Sequence, residues 1–520
     1  MERMIWKAFS PQERYYIRKI NCTWIKTENR RERVLKQVHV SVSGKEVGHK
    51  GIRIHNTLYT GENQNNGNFI LKRQLFLFSQ RQNRWRRRKT MKKNLKKLLA
   101  LGLTVAMGTS MLAGCGDKKA GGGKDGKDVE LVMSLWDSDQ EPVMKEMCKK
   151  YSETHPGVNV KTQLTTWGEY WTKLEASATG GSAPDIITMN VLHVEEYADA
   201  GILLDLTDAE KDSDLKVKEN FPAPLLHGYI VDGKLYGIPK DFDTNGIFYN
   251  KEIFDKAGVD YPTDGMTFED FRKKCEELKK AGLPEGVYPI AVNRNSGQTT
   301  YDASVFANGG YFLSKGNKKS GWDDPKTIEG VQPWLDLVLD GLSPTLQQMA
   351  DTDPDAMFQG GQLAMYLSGN YMIPSYNKTL EGKFGIVQRP SVNGKFTDII
   401  NGLAFSVSAN TKHPEEAKDF ALWLGSKEAQ EIQGKSGTVI SARNDCQGFY
   451  TETYPDLNLQ IFLDNAKDAE LLPHCRVTSE LAQVSNEYLD QAWTGEITLK
   501  EAGKKAAEAQ NKVLEKMNAK

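Results

Sequence analysis

The chain has 520 residues, of which 39% are hydrophobic and 26% are charged, as is ordinary for a soluble globular protein of two or three domains. Its net charge of zero hides an uneven distribution: residues 1–90 hold 21 Lys and Arg against 6 Asp and Glu, whereas the chain from Cys115 onward holds 43 against 62. The Arg-rich stretch 81–90 could bind nucleic acid, but the acidic body argues against a nucleic-acid partner for the whole protein.

Residues 1–90 show no sustained hydrophobic period of 2.0 or 3.6, and we expect them to be disordered or poorly defined. Met91, followed by two lysines, is a natural start of translation. We therefore interpret residues 1–90 as a spurious extension from an upstream start codon. The alternative is a genuine cytoplasmic extension on a type II membrane anchor, and N-terminal sequencing of the native protein would separate the two.

Residues 91–114 have the layout of a secretory signal peptide. Four lysines precede an apolar stretch that begins at Leu98, and small residues follow it. The alternative is a membrane helix followed by an incidental cysteine, but the apolar run is short for a membrane span. Charge placement and the polar stretch that follows both favour a signal.

The signal ends in Leu112–Cys115, which resembles the lipobox of bacterial lipoproteins. This resemblance implies that Cys115 is lipidated and is the first mature residue, so that the protein is anchored on the extracytoplasmic face of the cell membrane. Residues 115–128 continue as a flexible linker rich in Gly, Lys and Asp, with an r.m.s. reach of roughly 20 Å.

The first part of the mature chain predicts three strands separated by two helices. Strands are expected over 129–136, 158–164 and 186–189, and the helices over 141–156 and 170–179. This alternation predicts a parallel α/β sheet, in which ligands bind beyond the carboxyl ends of the strands.

Aromatic and hydrogen-bonding side chains follow each of these three strands. Trp136 and Asp137 follow the first, Trp167 and Tyr170 the second, and Asn190 the third. Because the carboxyl ends of parallel strands meet at one edge, we expect these side chains to converge there.

Later segments are predicted from turn and capping signals. The Asp232–Gly233 turn leads into a strand, a polar break and a second strand that ends at Asn250. Helices are expected over 267–282 and 415–426, and from a capping box at Thr498–Glu501.

Six short motifs follow one another along residues 129–520: Gly180–Asn190, Ala198–Thr207, Asp232–Gly258, Ala356–Tyr371, Asn401–Leu424 and Gly495–Ala502. Each is weak alone, but their order resembles that of the extracellular solute-binding proteins of ABC importers. The resemblance is to the sugar-binding group that includes maltose-binding protein, bacterial extracellular solute-binding protein family 1.

The resemblance implies a periplasmic-binding-protein-like α/β fold, in which a hinge joins two α/β lobes with the ligand cleft between them. The implied N-lobe consists of residues 129–239 plus 403–438, and the implied C-lobe of residues 240–402 plus 439–520. The chain is expected to cross between them at Pro239–Asp243, Asn401–Ala404 and Gly437–Ser441. It also implies hinge closure around a carbohydrate, delivery to ABC permease subunits, no catalysis, no cofactor or metal, and a monomer.

A sugar site needs flat aromatic rings for C–H faces, and acceptors or amides for hydroxyl groups. The candidate platforms are Trp136, Trp167, Tyr170 and Tyr371. The candidate residues for hydrogen bonds to the sugar hydroxyl groups are Asp137, Asp185, Asn190, Asp241, Asp243, Asn308, Ser368, Asn370, Asn401 and Arg443.

Some of these candidates have structural alternatives. Asp185, after Pro184, is either a turn residue or a ligand contact, and Lys240 is an alternative partner for Asp241 or Asp243. The other ligands considered are a polyamine, a peptide or another organic ion. A secreted glycoside hydrolase is disfavoured, because its two catalytic carboxylates usually come from different strands, whereas Asp241 and Asp243 lie in one segment.

The cysteines of the mature body are expected to be free, mostly buried thiols: Cys148, Cys275, Cys446 and Cys475.

Overall fold

The structure is a computed structural model that describes residues 17–26, 33–42, 50–55 and 128–519, in two units that divide after Gly123. The predicted signal peptide, Cys115 and nearly all of the linker lie outside the described residues. The structure gives no helix, among the residues it describes, with the length and apolar character needed to cross a membrane.

The first unit contains a three-stranded antiparallel sheet: β1 (Ile17–Lys26), β2 (Arg33–Val42) and β3 (Lys50–His55). These strands differ from the disorder expected for residues 1–90. The alternation of Val38, Val40 and Val42 is a short period-2 signal that the search for sustained periods missed.

The second unit is a mixture of strands and helices. Its strands are β4 (Val129–Leu135), β5 (Val158–Leu164), β6 (Ile186–Asn190), β7 (Ile230–Val231), β8 (Lys234–Leu235), β9 (Ile238–Asp243), β10 (Asn245–Asn250), β11 (Met365–Gly369), β12 (Phe384–Gln388), β13 (Asp398–Val407), β14 (Ile440–Ser441) and β15 (Ala469–Leu471). Its helices are α1 (Glu141–Thr154), α2 (Trp167–Thr179), α3 (Val191–Asp199), α4 (Thr207–Lys211), α5 (Val217–Asn220), α6 (Ala223–His227), α7 (Lys251–Ala257), α8 (Phe268–Lys280), α9 (Asp302–Ala307), α10 (Pro325–Leu339), α11 (Leu346–Asp351), α12 (Pro354–Gln359), α13 (Ile373–Leu380), α14 (Pro414–Leu424), α15 (Lys427–Lys435), α16 (Gly448–Thr451), α17 (Gln460–Asn465), α18 (Thr478–Trp493) and α19 (Leu499–Asn518).

The predicted strand–helix–strand–helix–strand order at the start of this unit is confirmed. β4 pairs in parallel with both β5 and β6, and α1 and α2 form the crossovers. The apolar face of α1, including Met147 and Tyr151, is buried in the large hydrophobic core on this side. Parallel strands need such crossovers, and burial of the helices' apolar faces holds them against the sheet.

The main sheet extends well beyond these three strands. Its order is β5-β4-β6-β13-β9-β14, and β15 pairs with the first residues of β13. β13 runs antiparallel to both β6 and β9. Consequently the carboxyl ends of β4, β6 and β9 lie at the same end of the sheet as the amino end of β13. We call this end of the strands the site edge.

The predicted chain crossings overlap three strands of this sheet, β9, β13 and β14, which we call the crossing strands. Of the crossing Gly437–Ser441, only the last two residues lie in β14. Phe242 on β9 pairs with Gly402 on β13 and with Ile440 on β14. The predicted break between the two strands is a single residue, Thr244, which separates β9 from β10. The lobe boundaries themselves stay predictions.

A second, smaller sheet begins where β9 ends. β10 lies between β11 and β12 and pairs antiparallel with both. Its core includes Trp334, Phe271 and Cys275. The helix predicted over 267–282 is confirmed as α8, whose apolar face is buried there, and the predicted capping box at Thr498 and Glu501 is present at the start of α19.

We predict that Gly402→Ala destabilises the protein, because a Cβ at this central position of β13 would lie 2.1 Å from Leu225 Cδ1 and 3.0 Å from the Asp241 carbonyl oxygen. Overpacking of this kind costs about 1–3 kcal/mol. The free energy of unfolding in urea measures the loss. Gly448→Ala is the matched control, since its Cβ would meet no heavy atom within 4 Å. Equal stability of the two variants would contradict the prediction.

Candidate functional site

The site edge brings together polar side chains from four strands. Asp137 is the second residue after β4, and Asn190 ends β6. On the crossing strands, Leu403 pairs with both Asn190 and Asp241, and Asn401 pairs with Asp243. The sequence prediction that strand ends converge on one edge is therefore confirmed for these residues.

An aromatic cluster lies beside this edge, centred on Trp136. The Trp136 ring centroid is 5.0 Å from that of Trp167 and 4.8 Å from that of Tyr170, both in edge-to-face geometry. Trp167 is 50% exposed, whereas Tyr170 is buried. The cluster therefore presents an indole to solvent above a buried support.

Tyr170 supports the cluster through its hydroxyl group. The hydroxyl lies 2.8 Å from Ser134 Oγ and donates to the Thr188 carbonyl oxygen at 2.9 Å. Trp171 is partly buried, and its ring centroid lies 3.8 Å from that of His193. The Trp171 centroid is also 5.9 Å from that of Trp136 and 5.8 Å from that of Trp167, so Tyr170 and Trp171 together support the exposed indole.

A buried chain of polar groups connects the Trp136 loop to β9. Asp137 accepts hydrogen bonds from the Asp139 backbone N–H at 2.7 Å and from Gln140 Nε2 at 2.8 Å. Gln140 Oε1 in turn accepts from the ammonium group of Lys240, which is ion-paired with Asp241. Lys240, the alternative partner considered for Asp241 in the sequence analysis, is therefore its partner in the structure.

Asp243, at the end of β9, is held by amide groups. Its two oxygens accept from Gln298 Nε2 and, at 3.4 Å, from Asn401 Nδ2. Burial, together with the charges of Asp241 and Asp398, holds the pKa of Asp243 well above its ordinary value. Amide donors can satisfy this carboxyl group whether or not it is ionised.

The residues predicted from the Ala356–Tyr371 motif join the site across the short link between β9 and β10. Ser368 on β11 pairs with Gly246 on β10, and Asn370 Oδ1 accepts from the Thr244 backbone N–H at 3.2 Å. The Tyr371 ring lies over Gly369, where an added Cβ would come within 2.2 Å of it. Burial, and then the charge of Asp243, raises the pKa of Tyr371, as expected for a phenol close to that carboxylate.

Three of the predicted site residues, Asp185, Asn308 and Arg443, form hydrogen bonds within the fold away from the site edge. Asp185 precedes β6, at the other edge of the sheet, and its oxygens accept from the Val132 N–H at 2.8 Å and Thr411 Oγ1 at 2.6 Å. This geometry is the turn-residue alternative, because both carboxylate oxygens are used inside the fold.

The amide of Asn308 is engaged with the start of α10 and with Asn393. Its Nδ2 donates to the Lys326 carbonyl oxygen at 2.8 Å, and its Oδ1 accepts from Asn393 Nδ2 at 2.7 Å. Arg443 Nε donates to Asp445 at 2.7 Å. The structure brings neither Asn308 nor Arg443 into hydrogen bonding with the site-edge residues.

Sequence reasoning missed the loop 293–302, which leads into α9 and carries Gln298. This loop lines a cavity of about 350 Å³ with α18, Leu472 and Trp322. Such a volume is at the small end of the range for ligand pockets. The polar run between the apolar residues 290–292 and α9 is the sequence signal that could have indicated it.

Several buried polar atoms at the site have no hydrogen-bond partner among the described residues. They are Asn245 Oδ1, Asn370 Nδ2 and Asn401 Oδ1. Because buried polar groups are nearly always paired, atoms left open at one place are typical of a site completed by water or a ligand. Asn401 lies near the amino end of β13 and Asn245 begins β10, whereas Asn370 follows β11 and bonds to Thr244 between β9 and β10.

A sequence model of the family described as bacterial extracellular solute-binding protein matches residues 137–431, more than half of the chain. The galactooligosaccharide-binding protein of Bacillus subtilis is 25% identical over 433 residues, covering 80% of this chain and 97% of that protein. The arabinooligosaccharide-binding protein of the same organism is 28% identical over 353 residues, covering 65% of this chain and 78% of that protein.

Solved structures with the same fold cover about three quarters of this chain. An ABC substrate-binding protein from Listeria monocytogenes in complex with cycloalternan gives a TM-score of 0.68 at 22% identity, covering 74% of this chain and 99% of that one. A maltose-bound protein of T. maritima gives 0.64 at 19% identity, covering 74% and 100%. The predicted periplasmic-binding-protein-like α/β fold class is confirmed.

We predict that Asp302, at the start of α9, makes the protein less stable as pH rises. Burial raises its pKa to about 7, against 3.8 ordinarily. The folded state therefore binds the proton more tightly, so this stabilisation is complete below about pH 4 and is lost as pH rises through 7. Asp302→Asn should gain roughly 2 kcal/mol over the parent protein between pH 5 and pH 8, measured by urea unfolding.

The control for this prediction is Asp323→Asn, which removes an exposed carboxylate from a nearby loop. Its stability relative to the parent protein should change little between the two pH values. A pH-independent difference for Asp302→Asn would show that its carboxyl group does not titrate differently on folding.

Proposed function

This chain belongs to the bacterial extracellular solute-binding protein family, and on that premise we propose that it captures a sugar or oligosaccharide outside the membrane and delivers it to the permease subunits of an ABC importer. The family consists of substrate-binding proteins, and we propose no catalytic step. The relatives named for arabino- and galactooligosaccharides support a carbohydrate ligand.

The observation that carries this proposal is the site edge itself. An exposed indole, Trp167, lies beside Trp136, and the amides and carboxylates of Asn190, Asp243 and Asn401 share the same sheet edge. Sugars need both features, because their C–H faces pack on aromatic rings and their hydroxyl groups exchange hydrogen bonds with acceptors and amides.

Residue roles follow from the contacts. Trp136 and Trp167 are proposed as platforms for a sugar ring, with Tyr170 as their support. Asn190, Asp243 and Asn401 are proposed to read hydroxyl groups, since each lies at the site edge with hydrogen-bonding capacity. The same role is proposed for Asp137, Asp241, Ser368 and Asn370, and Tyr371 is proposed as a further platform.

We propose that ligand release and capture use a hinge at the crossing strands. Three short segments side by side can absorb a rotation of two lobes without breaking either core. A ligand that contacts both lobes favours the closed form by its differential affinity for that form. The ion pair between Asp139 and Lys378 would then join the two lobes when they are closed.

The proposed ligand class is tested by calorimetry with the purified chain. Neutral mono- and oligosaccharides, polyamines and short peptides are titrated in parallel. Binding of at least one carbohydrate is expected, with contraction of the molecule in small-angle X-ray scattering. Binding of polyamines or peptides alone would overturn the carbohydrate proposal, and hydrolysis of a glycoside would overturn the absence of catalysis.

The platform role predicts that Trp167→Ala weakens carbohydrate binding about tenfold, since a lost aromatic contact of roughly 1.4 kcal/mol has that effect. Tyr261→Ala is the control, because Tyr261 is an aromatic residue of comparable exposure, 38%, whose hydroxyl donates to Asp255 on α7. Equal losses in the two variants would contradict the platform role.

We also propose that Cys115 is lipidated and anchors the protein on the extracytoplasmic face of the cell membrane, as a monomer on a flexible linker. Multiple acyl chains give stable anchoring because each buried methylene contributes about 0.8 kcal/mol. Cys115→Ser should move the protein from the membrane fraction of a bacterial host to the soluble fraction. Retention of the variant in the membrane fraction would contradict a lipid anchor.

A further inference from the structure

The buried charges around Gln298 are not balanced. Lys240 is paired with Asp241, and Arg389 is paired with Asp398 at 2.8 Å. In the part of the chain that the structure describes, neither of the other two buried carboxylates, Asp243 and Asp302, forms an ion pair. The region therefore carries two carboxyl groups beyond its basic side chains.

These two carboxyl groups differ in how they are satisfied. Asp243 accepts hydrogen bonds from Gln298 and Asn401. Asp302 is only 8% exposed, and its carboxylate accepts no hydrogen bond among the described residues; the charge of Arg389 acts on it, but Arg389 is itself paired with Asp398. A carboxylate in this position is costly once water is excluded, unless a donor reaches it.

Asp302 lies in the wall of the 350 Å³ cavity. Its oxygen is close to Gly297, where an added Cβ would be 2.4 Å from Asp302 Oδ1. Apolar walls come from Tyr301, Phe312 and Leu472, which suit the carbon skeleton of a ring. The cavity thus combines apolar walls with one acceptor that lacks a partner.

The other charged group on this wall does not supply the missing partner. Arg294 is ion-paired with Asp490, and its Nη1 donates to Asn486 at 3.1 Å. A cation brought by the ligand would form a charge-assisted hydrogen bond with Asp302, roughly twice as strong as a neutral one. An acidic sugar unit would instead be repelled by an ionised Asp302.

We propose that Asp302 is a specificity-determining residue that selects a carbohydrate whose sugar unit in this cavity carries a protonated amino group. This inference rests on the proposed carbohydrate-binding function and names its ligand class. It adds a contact that none of the predicted site residues provides.

The test compares three matched ligands by calorimetry at pH 7.5: a sugar, its amino derivative and the N-acetylated amino derivative, in the gluco and galacto series as mono- to trisaccharides. The amino form is expected to bind about tenfold more tightly than the other two, in at least one series. In Asp302→Asn the ratio of amino to neutral affinity should fall to about one. A general loss of binding would lower both affinities together and leave their ratio unchanged, so it cannot account for this result.

Asp323→Asn, which removes an exposed carboxylate, should keep the tenfold ratio. Tighter binding of the neutral or N-acetylated sugar, or an unchanged ratio in Asp302→Asn, would overturn the role of Asp302 and leave the proposed function standing. If no carbohydrate of any kind bound, the proposed function would fail, and this inference with it.

Discussion

The carboxylate of Asp398 is the interaction on which the region around the site depends. It is completely buried at the start of β13, paired with Arg389, and it also accepts from the Asn245 backbone N–H at 2.8 Å and from Asn465 Nδ2 at 3.2 Å. Such a charge is tolerated in an interior only when its oxygens are fully bonded. Because its donors come from β10, α17 and the residue after β12, one side chain fixes how the smaller sheet meets the crossing strands.

That fixed junction explains why the site lies where it does. With β13 positioned, its register with β9 and β6 brings Asn401 opposite Asp243 and Leu403 opposite Asn190. Gly402 lets Leu225 and β9 approach closely between them. The aromatic cluster is then brought to the same edge by β4, so one sheet presents both the flat and the polar parts of the site.

Local periodicity made the first strands and helices of the second unit predictable, since their patterns depend on neighbours in sequence. The candidate site was harder, because the fate of a polar side chain depends on partners far along the chain. Asp185 accepts a hydrogen bond from Thr411, and Asn308 accepts one from Asn393. Both partners are far along the chain, so no local sequence motif indicates either contact. Asp302 was missed for the converse reason: its sequence context is that of an ordinary helix start, and only the fold encloses it without a partner.

The four cysteines of the second unit are free and buried, as expected from their spacing. Burial raises the pKa of Cys148 and Cys446 to about 12 and also raises the pKa of Cys275 and Cys475, so almost no thiolate forms at neutral pH. Thiol exchange and oxidation proceed through the thiolate. The four thiols of the folded second unit are therefore slow to react with oxidants or disulfides, and its fold is held together without a bond among them.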